Sequence, residues 1–251
     1  MATDNILYRS SYPINDSISV VIPKVGQILD NEEEYNDAVF LFTSMPIDLM
    51  VALDDAGIDF TSINEYDLFL KLFLGLKERD EDDRGIDTSL ILCNLDLMDF
   101  DLCINRETQK IVLYNEKLDI VIGRKEHSQI AAVLRKINRM EKNRRKPANE
   151  DAKKYMLDRA RTKMKRRNRK EVSQLEQLIV AMVNTEQFKY DFESVRNLSI
   201  YQFNESVRQV IKKINYDNQM YGVYTGTLNP KELSQDDLNW LIHKSNRSNV
   251  L

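Results

Sequence analysis

A chain of 251 residues with 42% apolar side chains can bury one large core or two small ones, and its 30% charged content is interrupted by apolar clusters that disordered chains lack. The formal charge is −4, and the only cysteines, Cys93 and Cys103, suit neither a disulfide framework nor a zinc site without nearby histidines; they read as buried or bystander thiols. The N-terminus has no basic start leading into an apolar block, and no apolar run approaches the roughly 20 residues of a membrane span, so the expectation is a folded cytosolic protein.

Residues 18–23, ISVVIP, are β-branched and end at Pro23, which predicts a strand after a turn at Asn15 and Asp16. Helices are expected over 32–43, over 46–56 with Gly57 closing, and in a segment opened by Ser62 with Glu65 three residues on. In that last segment Tyr66, Phe69, Leu72, Phe73 and Leu76 fall on one face at spacings of three and four, as a core helix requires. Alternation returns at Leu102, Ile104, Ile111, Leu113, Leu118, Ile120 and Ile122, with 105–110 as a hairpin loop, predicting two or three strands within 100–122.

Helical spacing resumes at Ile130, Val133, Leu134 and Ile137, but Lys and Arg then take over. Residues 135–170 hold 17 Lys/Arg against four Asp/Glu, a net +13 that leaves about −17 for the remainder of the chain. The sequence is electrically bipolar. Beyond it, Leu175, Leu178, Ile179, Met182 and Val183 mark one helix and Phe203, Val207, Val210, Ile211 and Ile214 another, followed by short helix starts at Asn229–Pro230 and Ser234. The fold class expected is α+β, arranged as a mixed domain with a small sheet over 1–126, a basic helical arm or linker over 127–171, and a small helical domain over 172–251.

Catalytic chemistry finds little support. His127 and His243 are the only histidines, each in polar helical company that suggests a surface position. No Gly-Lys-Ser/Thr motif and no dinucleotide fingerprint occur. Asp80, Asp82 and Arg84 begin like a calcium loop, yet Arg84 and Ile91 stand where oxygen ligands are needed; Asp96, Asp99 and Asp101 lack the partner that a metal nuclease would use. The expectation is a non-enzyme without cofactor or metal.

Two groups remain as candidate partner-binding residues. The first is the basic arm, with Arg159, Arg161, Lys163, Lys165, Arg166, Arg167, Arg169 and Lys170. Such a cluster can sit in solvent, meet an acidic protein surface, including the acidic half of this chain, or bind polyphosphate; Tyr155 alone is available for base stacking, which makes nucleic acid the least favoured. The second is aromatic, with Phe188, Tyr190, Tyr201, Tyr221 and Tyr224, residues that serve a core when buried and a partner when exposed.

The stretch VNTEQFKYDFESVRNLSIYQFNESVRQVIKKINYDNQMYGVYTG, then SQDDLNWL, and near the N-terminus PIDLMVALDDAGIDFTSINEYDLF, resemble proteins encoded among the tail-morphogenesis genes of tailed phages. The resemblance spans about 46–76 and 170–242. It implies a non-enzymatic role in tail or baseplate assembly, either as a chaperone or scaffold that holds another tail protein such as the tape measure, or as a structural subunit. It further implies residence in the host cytoplasm or the virion, and leaves a homo-oligomer open.

Overall fold

The computed structural model describes residues 5–78, 88–93, 95–106, 108–166, 173–234 and 239–241. Arg167, Arg169, Lys170, His243 and the acidic stretch 79–87 lie outside them. The architecture is α+β, with ten α-helices and two antiparallel sheets of two and three strands among the described residues.

Strand β1 (Ser11–Pro13) pairs with β2 (Ser19–Val21), Tyr12 lying opposite Val20. Asn15 shapes the turn between them: its Oδ1 accepts from the backbone N–H of Ser17 at 3.0 Å and of Ile18 at 2.7 Å. The strand expected at 18–23 is therefore the second of a hairpin, not the first element of the sheet.

Four helices follow, α1 (Val25–Asp30), α2 (Glu32–Thr43), α3 (Met50–Asp55) and α4 (Glu65–Lys77). Residues 46–49 form a turn, so the second expected helix begins later, and Gly57 ends that unit at φ 71°, where a side chain would be strained. Helix α4 is capped by Asn64 rather than Ser62. Asn64 Oδ1 accepts from the N–H of Tyr66 at 3.1 Å and of Asp67 at 3.0 Å, while the Ser62 hydroxyl donates to the Asp59 carbonyl and belongs to the preceding turn. Tyr66, Phe69, Phe73 and Leu76 are buried along its predicted face.

After α5 (Ser89–Leu92), strands β3 (Asp101–Ile104), β4 (Ile111–Asn115) and β5 (Ile120–Ile122) form a meander in that order, with Leu113 opposite both Leu102 and Ile122. The Tyr66 hydroxyl reaches the carbonyls of Ile111 at 3.2 Å and Ile122 at 3.0 Å, fastening α4 to this sheet. Helix α6 (Arg124–Ile137) lies against α2 and α4 and buries His127, Ile130, Val133, Leu134 and Ile137. Residues 127–137, grouped with the basic arm on composition, thus pack into the core, because most charges of α6 lie on the outer face of an amphipathic helix and Arg135, the enclosed one, is paired. An extended segment over 140–147 leads to α7 (Glu150–Arg166).

Helices α8 (Gln174–Val183), α9 (Phe192–Val195) and α10 (Ile200–Tyr224) complete the chain. They are joined to the N-terminal elements at backbone level. Val25 N–H donates to the Leu198 carbonyl at 2.9 Å, Gly26 N–H to Arg196 at 3.0 Å, and Ile200 N–H to Pro23 at 2.8 Å. A Cβ on Gly26 would stand 3.1 Å from the Arg196 carbonyl oxygen, so glycine permits the approach. Ile179, Met182, Phe188, Val195, Phe203, Val207 and Val210 enter the same apolar cluster as Phe42, Phe69, Leu113 and Leu134. Across the sequence boundary near 172 the core is continuous.

Candidate interaction site

Over residues 142–161 the basic segment is not free in solution. Leu157 on α7 is buried at 6% exposure in a second apolar cluster with Ile47, Leu53, Phe60 and Leu68, and Met156 packs beside it. Around this anchor the cations meet acids drawn from residues 48–65. Arg161 pairs with Asp54 at 2.7 Å and Asp55 at 2.5 Å, Lys153 with Asp59 at 2.8 Å, and Lys142 with Glu65, while Asn143 donates to Asp48 at 2.8 Å. From 142 to 161 the ion pairs step back from Glu65 to Asp54, so α7 runs antiparallel to the acidic segment. Burying a leucine contributes about 1.5–3 kcal/mol, against roughly 0–1 kcal/mol for an exposed ion pair, so Leu157 seats the helix and the charges fix its register.

Glu65 is the exception to that modest electrostatic scale. Its side chain is 14% exposed and that of Arg135 10%, and Arg135 also donates to the Thr43 carbonyl at 2.5 Å. Burial pushes the Glu65 carboxyl up, but hydrogen bonds from Lys142 and Arg135 outweigh it and hold the group below the usual carboxylate range. A charge so enclosed is kept by both partners.

His127, expected at the surface, is 1% exposed. Its ring lies 4.5 Å from that of Phe69, 5.5 Å from Tyr66 and 6.1 Å from Phe42, and its Nε2 has no hydrogen-bond partner. Burial pushes its pKa down to about 4, so it is neutral at physiological pH. The signal was present in the sequence: His127, Ile130, Leu134 and Ile137 share the apolar face of α6.

Of the predicted basic residues, Arg159, Lys163 and Lys165 are exposed, Arg161 is half-buried in its ion pairs, and Arg166 ends the helix. Arg167, Arg169 and Lys170 lie outside the described residues. Replacing Lys163 and Lys165 by Gln is expected to change folding stability by less than about 0.5 kcal/mol each, checked by denaturant titration; a larger loss would mean that they are structural.

The aromatic residues divide. Phe188 is buried, edge-on to Phe203 at 6.1 Å and 5.4 Å from Tyr190, and Tyr201 is half-buried. By contrast Tyr221 is 72% and Tyr224 84% exposed at the end of α10, beyond the last core contacts of that helix. Leu228 folds back over Gly222, where a Cβ would come within 2.6 Å of its side chain, and Gln209 donates to the Trp240 carbonyl at 2.9 Å.

Of the carboxylates weighed as metal ligands, Asp96 caps a 3-10 turn, Asp99 pairs with Lys117 and Asp101 with Lys77. Among the described residues no group of three or more His, Cys, Asp or Glu side chains is placed to hold a metal, and no helix is long and apolar enough to cross a membrane. Neither thiol is buried, Cys93 being exposed and Cys103 half-buried.

Compared with known families, the region that contains this exposed helix finds a match. Residues 165–243 match the YomV second domain. The C-terminal third is therefore a phage-like domain, and it contains α8 to α10, the Tyr221 and Tyr224 pair, and the last predicted residues of the basic arm. No curated protein and no solved structure matches the chain.

Proposed function

We propose that this chain is a non-enzymatic phage assembly factor that binds another tail protein, acting as a chaperone or scaffold during tail or baseplate assembly. The observation that carries the reading is the end of α10 within the phage-like domain, where Tyr221 and Tyr224 stand in solvent on a helix whose first half is locked in the core. Large, stiff aromatic side chains on a rigid support lose little entropy when a partner covers them. The outer face of α7, with Arg159, Lys163 and Lys165, supplies a second surface suited to an acidic partner, and in the sequence Arg166, Arg167, Arg169 and Lys170 come next.

The test is co-purification of the tagged full chain from phage-infected cells. One tail or baseplate protein should be recovered with it. Changing Tyr221 and Tyr224 together to Ala should weaken that complex by about 2 kcal/mol, roughly thirtyfold, with an unchanged unfolding midpoint. Recovery of no tail protein would sink the proposal, and stoichiometric amounts of the chain in purified particles would make it a structural subunit.

A further inference from the structure

The extended segment 140–147 passes over the start of α4 and the start of α6 and encloses a cleft of about 770 Å³. Three parts of the chain distant in sequence build it, residues 45–47 with 60–66, 124–128, and 142–153. The apolar floor is offered by Met45 and Ile63, which are half-buried; Pro46 and Ile47 beside them are buried. The rim is cationic, from Arg124, Lys142, Arg144, Arg145, Lys146 and Lys153, against two carboxylates, Glu65 and Glu150.

The cations do not all have the same task. Lys142, Lys153 and Arg124 are engaged by Glu65, Asp59 and Asp67. Arg144, Arg145 and Lys146, consecutive and exposed, form no ion pair among the described residues. Their neighbour Asn143 is tied to Asp48, and Lys142 to Glu65, so the backbone presenting the three charges is held at its near end. Cations that are exposed, and unpaired among the described residues, above an apolar floor form a surface whose complement is negative at the rim and apolar at the centre.

We infer that this cleft is the docking site for an acidic segment of a partner protein, one in which Asp or Glu residues flank Leu or Phe side chains. The inference rests on the reading that the chain binds another protein, and it names the chemistry of what is bound. Charge complementarity selects a carboxylate-rich segment, and the floor selects apolar side chains between the carboxylates. A nucleic-acid strand fits less well. Phe60 and Tyr66 are 4% and 5% exposed and offer no face for base stacking, while Glu65 and Glu150 would oppose a phosphodiester chain.

The experiment measures fluorescence anisotropy with the full chain and four labelled probes: a short peptide mixing Glu, Asp, Leu and Phe; the same peptide with Gln and Asn for the acids; the same peptide with Ser for Leu and Phe; and a DNA duplex of arbitrary sequence. The first peptide should bind, and the second and third should bind at least about tenfold more weakly. The variant R144E/R145E/K146E, whose substitutions lie in exposed positions, should lose the first peptide by a similar factor, and Ile63→Ser should weaken it without altering charge. Binding of the acidic peptide that survives the triple charge reversal, absence of binding, or a duplex that binds as tightly and is lost in the same variant would each overturn the inference. The same variant separates this inference from the broader reading: a tail protein recovered equally well by wild type and R144E/R145E/K146E removes the cleft and leaves the assembly factor standing.

Discussion

Phe203→Ala is expected to cost about 3–5 kcal/mol of folding stability, the usual loss on emptying a fully buried aromatic site. Phe203 is 0% exposed and meets Phe188 edge-on, and α10, which carries it, lies against α6 and the 3-10 turn at Ile6–Tyr8. The cavity would therefore open where the C-terminal helices meet the N-terminal body. Relaxation is restrained on both sides, by the backbone bonds of Val25, Gly26 and Ile200 and by the Gln202 amide, which donates to the Leu7 carbonyl at 2.9 Å. Because the core is continuous, the whole denaturant transition should move to lower midpoint with its slope preserved. A second transition, with part of the far-ultraviolet dichroism persisting after the first, would show instead that the phage-like domain unfolds by itself.

Acidification is expected to remove about 3 kcal/mol as pH falls from 6.5 to about 4, owing to His127 alone. In the unfolded chain the imidazole gains its proton near pH 6.5, whereas in the fold burial holds it neutral down to about 4. The unfolded state thus binds more protons in that window, and stability rises with pH across it. Desolvation among Phe42, Tyr66 and Phe69 is the largest effect and Arg135 and Lys142 act with it, whereas Glu65 and the backbone hydrogen bond at Phe42 favour the cation without overcoming it. Glu65 acts at lower pH. Its folded pKa is depressed, so its contribution is complete above the unfolded carboxylate value and fades as pH falls through the folded one. Stability measured against pH for wild type and His127→Phe separates the two groups: the variant should be flat between pH 6.5 and about 4.5, and an unchanged slope there would refute the assignment to His127.

How much of this was legible depended on where periodicity and packing coincide. Helix α2 matches its predicted span, since glutamates open it and Tyr35, Ala38, Val39 and Phe42 repeat at helical spacing. The three-stranded meander was readable from alternation and from the Asn105 loop, whose Oδ1 accepts from Thr108 N–H at 3.0 Å. Strand β1 was not, because Ser11–Pro13 carries no repeat of its own and is defined by its partner. The cap of α4 was misplaced at Ser62, whose hydroxyl is taken by the Asp59 carbonyl, while Asn64 accepts from the first turn of the helix. The length of α10 was hidden as well, for its last turns pack on little and so leave no apolar stripe. As for the cleft, no single window could reveal it, since its floor and rim come from segments some eighty residues apart.

The seating of α7 changes what the molecule presents to objects not yet touching it. Were the basic and acidic halves held apart, the chain would be a strong dipole, turning in the field of any polyelectrolyte and drawn to it from afar. With Arg161, Lys153 and Lys142 laid against Asp54, Asp55, Asp59 and Glu65, part of the basic charge is cancelled over a few ångströms, and that part of the field decays faster with distance than the field of separated charges. Beyond a screening length of about 8 Å little more than the small net charge is felt. What remains of the charge is therefore felt by a partner mainly at contact distance.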